Sequence, residues 1–223
     1  SSFLTQGPAV EAFEKAVAEY VGVKYAVAVS SGTAALHLAA LAAGVGPGTS
    51  IVTSPISFVA SANAARYCGG DVLFADIDPE TVNMSADALR EVLLKNSNVK
   101  AIIPVHFAGL PCNMIAIKNL ADEAGAVVIE DAAHALGATY PNGKRVGCCE
   151  NSLMTIFSFH PVKAIAAGEG GMITTNDEAT YQKLIRLRSH GINKLDDNFE
   201  LPLQAFEKGE LNPWYYEMQE LGF

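Results

Sequence analysis

Between Tyr25 and Ile129 the sequence repeats one pattern, a short apolar run followed by a turn and a longer segment with helical spacing. The runs are Tyr25 to Val29, Ser50 to Thr53, Val72 to Ala75, Ala101 to Val105 and Ala126 to Ile129. Between them fall an Ala/Leu-rich helix opened by Ser30-Ser31-Gly32-Thr33 and closed by the turn Gly44 to Gly48, a helix from about Ser57 to Cys68, one after the cap candidate Ser85, and one from Met114 to Ala124. Strands that are apolar on both faces belong to a mostly parallel sheet covered by helices on both sides, so the fold class is α/β. An amphipathic helix precedes them from Pro8 to Val21, with Pro8 in its first turn and Gly22 as its stop.

Beyond Asp131 the pattern changes. The runs Leu153 to Phe159 and Gly171 to Thr175 are joined by only eleven residues, too few for a helical crossover. One of them is therefore expected to be antiparallel in a sheet of about seven strands. A helix follows from Asp177 to Arg188, and Gly191 to Phe223 is polar, aromatic-spotted and aperiodic. The expected organisation is one large domain over residues 1–190 and a connecting segment over residues 191–223.

Half of the 223 residues are apolar and 17% are charged, enough for one large core and outside the range of disordered chains. Fifteen Lys and Arg against 24 Asp and Glu give a net charge of −9, which argues against nucleic acid or an anionic membrane as partner. Cys68, Cys112, Cys148 and Cys149 form no CxxC pair and read as reduced thiols. With no targeting or membrane-spanning pattern in the sequence, a cytoplasmic location is expected.

Several sites are absent by inspection: no GxGxxG after a strand, no GxxxxGK[ST], no HExxH and no GxSxG. The five histidines are scattered without metal-ligand spacing, so no metal site is expected. The remaining candidates lie at strand ends, where α/β proteins bind ligands. Ser31-Gly32-Thr33 at a helix start suits a phosphate, or is simply a cap. Asp131, after Glu130, is a carboxylate needing a cationic or N–H partner, or the cap of the next helix. His134 either faces the same cleft or is a satisfied core histidine. Lys163, in the loop after Phe157-Ser158-Phe159-His160 and before Gly168-Glu169-Gly170-Gly171, is either a solvated charge or a nucleophilic amine able to form a Schiff base. Phe58 is a core residue or an aromatic platform. Taken together, a phosphate-suited helix start, a strand-end Asp and a loop Lys are the three fixed points that pyridoxal phosphate requires.

The segments SSGTAALHLAAL (Ser30 to Leu41), SPISFVASANAARYCGG (Ser54 to Gly70), VIEDAAHALGA (Val128 to Ala138) and FSFHPVKAIAAGEGGMITT (Phe157 to Thr175) occur in this order. They resemble the DegT/DnrJ/StrS family of sugar-nucleotide aminotransferases. The resemblance implies the large domain of the fold type I pyridoxal phosphate enzymes, with a seven-stranded mixed sheet. It implies that Lys163 binds the cofactor covalently, Asp131 pairs with its ring nitrogen, and Gly32, Thr33 and Ser158 hold its phosphate. Phe58 would stack on the ring and His134 would contact its hydroxyl.

FLTQGP near the start and WYYEMQELGF at the end are most similar, within the family, to transaminases of the pseudaminic acid pathway. That implies L-glutamate as donor, a UDP-linked 4-keto-6-deoxy-N-acetyl sugar as acceptor, and a homodimer. Family members continue into a small C-terminal domain, so the chain is expected to be part of a longer enzyme. Ala166-Ala167 replace a hydroxylated pair often found after the lysine. The competing readings are a sugar dehydratase of the same fold, in which a histidine replaces the lysine, and an inactive cofactor-binding scaffold.

Overall fold

A computed structural model describes residues 7–193 and 199–223 of the chain; residues 3–6 of the FLTQGP stretch lie outside them. The seven long strands are β1 (Tyr25–Val29), β2 (Ser50–Thr53), β3 (Asp71–Phe74), β4 (Val99–Ile103), β5 (Val127–Asp131), β6 (Met154–Ser158) and β7 (Gly171–Thr175). The helices α1 (Pro8–Val21), α2 (Gly32–Ala42), α3 (Ala60–Tyr67), α4 (Ala86–Lys95), α5 (Met114–Ala124) and α6 (Glu178–Arg188) alternate with them as the sequence pattern requires. One sheet results, in the order β1-β7-β6-β5-β4-β2-β3. Its pairs are parallel except those of β7, which runs antiparallel to both β1 and β6. The eleven-residue link has the consequence expected of it.

Local chemistry fixes the helix ends. Ser31 caps α2 by accepting the Ala34 N–H at 3.1 Å, Ser85 caps α4 through Ala88 at 3.3 Å, and Asn113 caps α5 through Ala116 at 3.3 Å. Gly22 and Gly125 close α1 and α5 in the left-handed region. Strand ends shift by one or two residues from the sequence pattern, and two differences bear on the site. α3 begins at Ala60 rather than near Ser57, because Pro55 to Ser57 form a bend and the helical hydrogen bonding starts only after it. The β5 strand runs on to Asp131, since the Asp131 N–H donates to the Pro104 carbonyl and the His106 N–H to the Asp131 carbonyl, at 2.9 and 3.0 Å. No helix starts at Asp131, which removes its reading as a helix cap.

Register then brings distant segments together. Gly171 at the start of β7 is opposite Val29 on one side and Ser158 on the other. The carboxyl ends of β1 and β6 are thereby held side by side. The contact is tight: a Cβ on Gly171 would lie 2.3 Å from the Ser31 carbonyl oxygen, and one on Gly32 would lie 2.9 Å from the Ser158 Cβ. Gly171 admits no side chain because the Ser31 backbone passes there, and Gly32 because the Ser158 side chain does; neither has a left-handed φ.

The core lies on both faces of the sheet, with Ile51, Ile102, Ile103, Ile129, Ile156, Phe157, Met172 and Ile173 fully buried. The chain divides into two compact units, Ser1–Tyr181, which contains the sheet, and Gln182–Phe223. In the second, the polar tail forms two short antiparallel pairs, Ile192–Asn193 with Glu217–Met218 and Phe206–Glu207 with Glu210–Leu211. Phe199 packs edge-on against Phe206 and Tyr215 there, and the Glu217 carboxylate accepts the Glu200 and Leu201 N–H groups at 2.7 and 2.9 Å.

Replacing Gly171 by Ala forces a methyl group into the Ser31 carbonyl, so Gly171→Ala is expected to cost about 2–3 kcal/mol. Urea denaturation of the variant measures it, and a loss below about 0.5 kcal/mol would contradict the described contact.

Candidate active site

At the carboxyl ends of β1, β5 and β6 the sheet opens into a cavity of about 660 Å³. All seven residues singled out from the sequence line it: Gly32, Thr33, Phe58, Asp131, His134, Ser158 and Lys163. Three further lining residues, Ser57, His160 and Glu169, carried no recognisable signal in the sequence. A larger depression of about 1160 Å³ lies beside the starts of α4 and α5, lined by Asp78, Asp87 and Asn113 among others. It contains neither lysine nor arginine, and offers no amine or phosphate-binding cation.

The α2 start forms one wall of the smaller cavity. The first N–H groups of a helix have no acceptor within it, and here Ser31 occupies only that of Ala34. Those of Gly32 and Thr33 remain for a ligand, backed by the positive end of the helix dipole and by the Thr33 and Ser158 hydroxyls. The Ser158 Oγ is also turned toward the lysine loop, accepting the His160 N–H at 3.4 Å. This wall has the donors and field to receive an anion, and the missing Cβ of Gly32 is what lets Ser158 approach it.

Asp131 forms the floor and is only 5% exposed. Its Oδ2 accepts the Ser61 hydroxyl at 2.7 Å and its Oδ1 the Ala133 N–H at 3.1 Å. No cationic side chain pairs with it among the described residues. A buried carboxylate with two neutral donors and an open side toward a cavity is arranged to receive a cation from the ligand.

Lys163 enters the same cavity, half-buried, on a loop held by backbone bonds. Its own N–H donates to the His160 carbonyl at 2.9 Å, the Phe159 N–H to the Gly170 carbonyl at 2.9 Å, and the Ala167 N–H to the Phe159 carbonyl at 2.9 Å. The last bond involves one of the alanines that replace the hydroxylated pair, so the main chain keeps the loop closed without their side chains. His134 lies within electrostatic reach of both charged groups. Burial first, and then the Lys163 ammonium, hold its imidazole below the usual range, against an opposing pull from Asp131. The imidazole is therefore neutral at pH 7. Phe58 is 75% exposed, on the rim of the cavity rather than in the core.

The residue before Asp131 has the opposite environment. Glu130 points to the other face of the sheet and is 1% exposed. It accepts hydrogen bonds from His106 Nε2 at 2.8 Å, Ser152 Oγ at 2.5 Å, Thr155 Oγ1 at 3.0 Å and the Tyr140 hydroxyl. Burial raises its pKa, but the His106 hydrogen bond and the other donors outweigh that and hold the carboxyl below the usual range. At His106 burial lowers the pKa, while contact with the Cys112 side chain and the hydrogen bond and charge of Glu130 would raise it to about 10. A second ring proton, however, would collide with the Cys112 N–H that Nδ1 accepts at 3.1 Å, so we assign the neutral Nε2–H form.

Comparison with known proteins agrees with this arrangement. The model of the DegT/DnrJ/EryC1/StrS aminotransferase family matches residues 1–205. The spore coat polysaccharide biosynthesis protein SpsC of Bacillus subtilis is 42% identical over 224 residues, covering 100% of this chain and 54% of that protein. GDP-perosamine synthase of Caulobacter vibrioides is 45% identical over 181 residues, 81% of this chain and 47% of its own length. Among solved structures, Helicobacter pylori PseC, an aminotransferase involved in the biosynthesis of pseudoaminic acid, superposes with a TM-score of 0.83 at 33% identity, over 100% of this chain and 55% of its own. The chain thus spans about half the length of the curated relatives it matches. The architecture is that of the fold type I pyridoxal phosphate enzymes.

The contrast between the two adjacent carboxylates has a measurable consequence. Glu130→Gln keeps one acceptor oxygen but sets its amide N–H bonds against the two donors held by the other, and is expected to cost about 3 kcal/mol of stability at pH 7. The pH dependence follows from the depressed folded pKa. In wild type the contribution is complete above the ordinary carboxyl pKa of 4.5 and is lost as pH falls below it, because the unfolded chain takes up the proton first. Urea denaturation between pH 7 and 3 should show a shallower acid loss in Glu130→Gln, and an unchanged slope would contradict the assignment of an ionised Glu130.

Proposed function

Since the chain belongs to the DegT/DnrJ/EryC1/StrS aminotransferase family, we propose that it is the cofactor-holding part of a pyridoxal phosphate enzyme that moves the amino group of L-glutamate to the 4-keto carbon of a nucleotide-linked 6-deoxy-N-acetyl sugar. Pyridoxal phosphate is the family's cofactor. The observation that carries the reading is Asp131, a buried carboxylate without a cation, in one cavity with Lys163 and an open helix start. When bound, the cofactor supplies an aldehyde that captures amines and a ring that accepts electrons.

Each residue then has a task set by its surroundings. The Gly32 and Thr33 N–H groups and the Thr33 and Ser158 hydroxyls bind the phosphate. Asp131 keeps a proton on the ring nitrogen, and without that positive charge the ring is a poor electron acceptor. Phe58 covers one face of the ring, and the neutral His134 meets its hydroxyl. Lys163 anchors the aldehyde carbon. With the cofactor held there, its Nζ would be the base that moves a proton at the α-carbon of the amino donor. Glutamate leaves as 2-oxoglutarate before the sugar is aminated, so the kinetics are ping-pong.

A UDP-linked acceptor is supported by the likeness to PseC together with the terminal motifs. A GDP-linked acceptor is the second reading, supported by 45% identity to GDP-perosamine synthase. Exposed apolar side chains lining the cavity, Phe58 at 75% and Val162 at 78%, support a homodimer that covers it. Four free thiols support a cytoplasmic location. No helix among the described residues is long and apolar enough to cross a membrane. Lys163 speaks against the dehydratase alternative, which has histidine at that place.

Two experiments on the full-length protein test the reading. Borohydride reduction followed by peptide mass analysis should place a pyridoxyl group on Lys163; bound cofactor without an adduct would favour the dehydratase, and no binding at all would leave only a scaffold. Lys163→Ala should lower the rate of amino transfer from glutamate by about 10²–10⁴-fold. A panel of UDP- and GDP-linked 4-keto sugars separates the acceptor readings, and inactivity towards every one would overturn the substrate class.

A further inference from the structure

The Asp131 carboxylate is held by a residue that does not itself line the cavity. Ser61 lies in the first turn of α3 and is 0% exposed. Its Oγ is 2.7 Å from Asp131 Oδ2, 2.8 Å from Ser57 Oγ and 3.4 Å from the Phe58 carbonyl. A serine has one hydroxyl proton, and the short bond to a charged acceptor takes it ahead of the long one to a carbonyl. With that proton on Asp131, the Ser57 hydroxyl is the donor in its 2.8 Å bond to Ser61, which it makes ahead of its longer 3.1 Å contact with the Phe58 carbonyl. The result is a directed line, Ser57 to Ser61 to Asp131, which starts at the cavity wall and ends at its floor.

Two properties of this line matter for a cation-binding carboxylate. It fixes the plane of the group from a second direction, since Oδ1 is already tied to the Ala133 N–H at 3.1 Å by the strand's own turn. It also stabilises the negative charge without neutralising it, because a hydroxyl carries no charge to compete with an incoming cation. Glu130, with four donors, shows the alternative in which a carboxylate is saturated and unavailable. Asp131 has one donor on each oxygen and its remaining acceptor capacity free.

We propose that Ser61 is a positioning residue for Asp131, with Ser57 as the outer member of a two-hydroxyl relay that aims the carboxylate at the ring nitrogen of the cofactor. The proposal rests on the reading that Asp131 pairs with that nitrogen, and the test separates the two. Dissociation constants are measured on the full-length protein for pyridoxal phosphate and for its 1-deaza analogue, which has carbon in place of the ring nitrogen. Ser61→Ala should weaken pyridoxal phosphate about 10-fold, equivalent to about 1.4 kcal/mol, and leave the deaza analogue within about 2-fold. Ser61→Thr, which keeps the hydroxyl, should restore the wild-type ratio between the two ligands, and Ser57→Ala should shift it in the same direction as Ser61→Ala but less.

Thermal unfolding of the cofactor-free variants identifies any that fail to fold, and for those the threonine variant decides. Equal weakening of both ligands in Ser61→Ala would make Ser61 a determinant of cavity shape only, and no weakening of either would remove it from the site; each result overturns the proposal. If Asp131→Asn leaves the ratio of the two ligands at the wild-type value, the pairing of Asp131 with the ring nitrogen is wrong, and the relay loses its purpose for that separate reason.

Discussion

A buried carboxylate must have its charge compensated, and at the end of β5 two neighbouring ones meet that demand in different ways. Glu130 is surrounded by His106, Tyr140, Ser152 and Thr155, all donors from its own chain, and is complete in itself. Asp131 faces the cavity with a serine, a backbone N–H and, among the described residues, no cation. Strand geometry separates the two, since successive side chains point to opposite faces. One is thereby part of the fold's internal structure, and the other is a site. The two are also linked, because His106 donates its side chain to Glu130 and its backbone N–H to the Asp131 carbonyl. The saturated carboxylate helps to hold in place the backbone of the unsaturated one.

The other half of the site depends on register. Gly171 pairs with Val29 and with Ser158, and through it the helix start after β1 comes beside the end of β6. No side chain fits between these segments, which is why glycine stands at positions 32 and 171. The strand that makes this possible is the antiparallel one. Its short connection from β6 is also the loop that carries Lys163, so a single feature of the topology brings the α2 start beside β6 and carries the amine.

Much of this could be read from the sequence, for reasons that are local. Short apolar runs alternating with helical periods specify the layers, and an eleven-residue link between Phe159 and Gly171 specifies the direction of one strand. Gly32, Asp131 and Lys163 are visible because they sit at junctions where their residue types are conspicuous. Ser61 was not legible: its partner is 70 residues away, and a serine within an alanine-rich helix carries no signal beyond its four-residue spacing from Ser57. The partners of Glu130 were hidden for the same reason, being drawn from positions between 106 and 155. Phe58 and His134 had two open readings each, and only the three-dimensional packing placed both on the cavity.

Asp131, on this reading, keeps its charge for the ring nitrogen of a bound pyridine. The most direct measurement is the ¹⁵N NMR shift of pyridoxal phosphate labelled at that nitrogen and bound to the full-length protein. A protonated pyridinium signal, retained at a pH where the free cofactor has lost its ring proton, is the predicted result. A bound ring whose nitrogen carries no proton at neutral pH would contradict it.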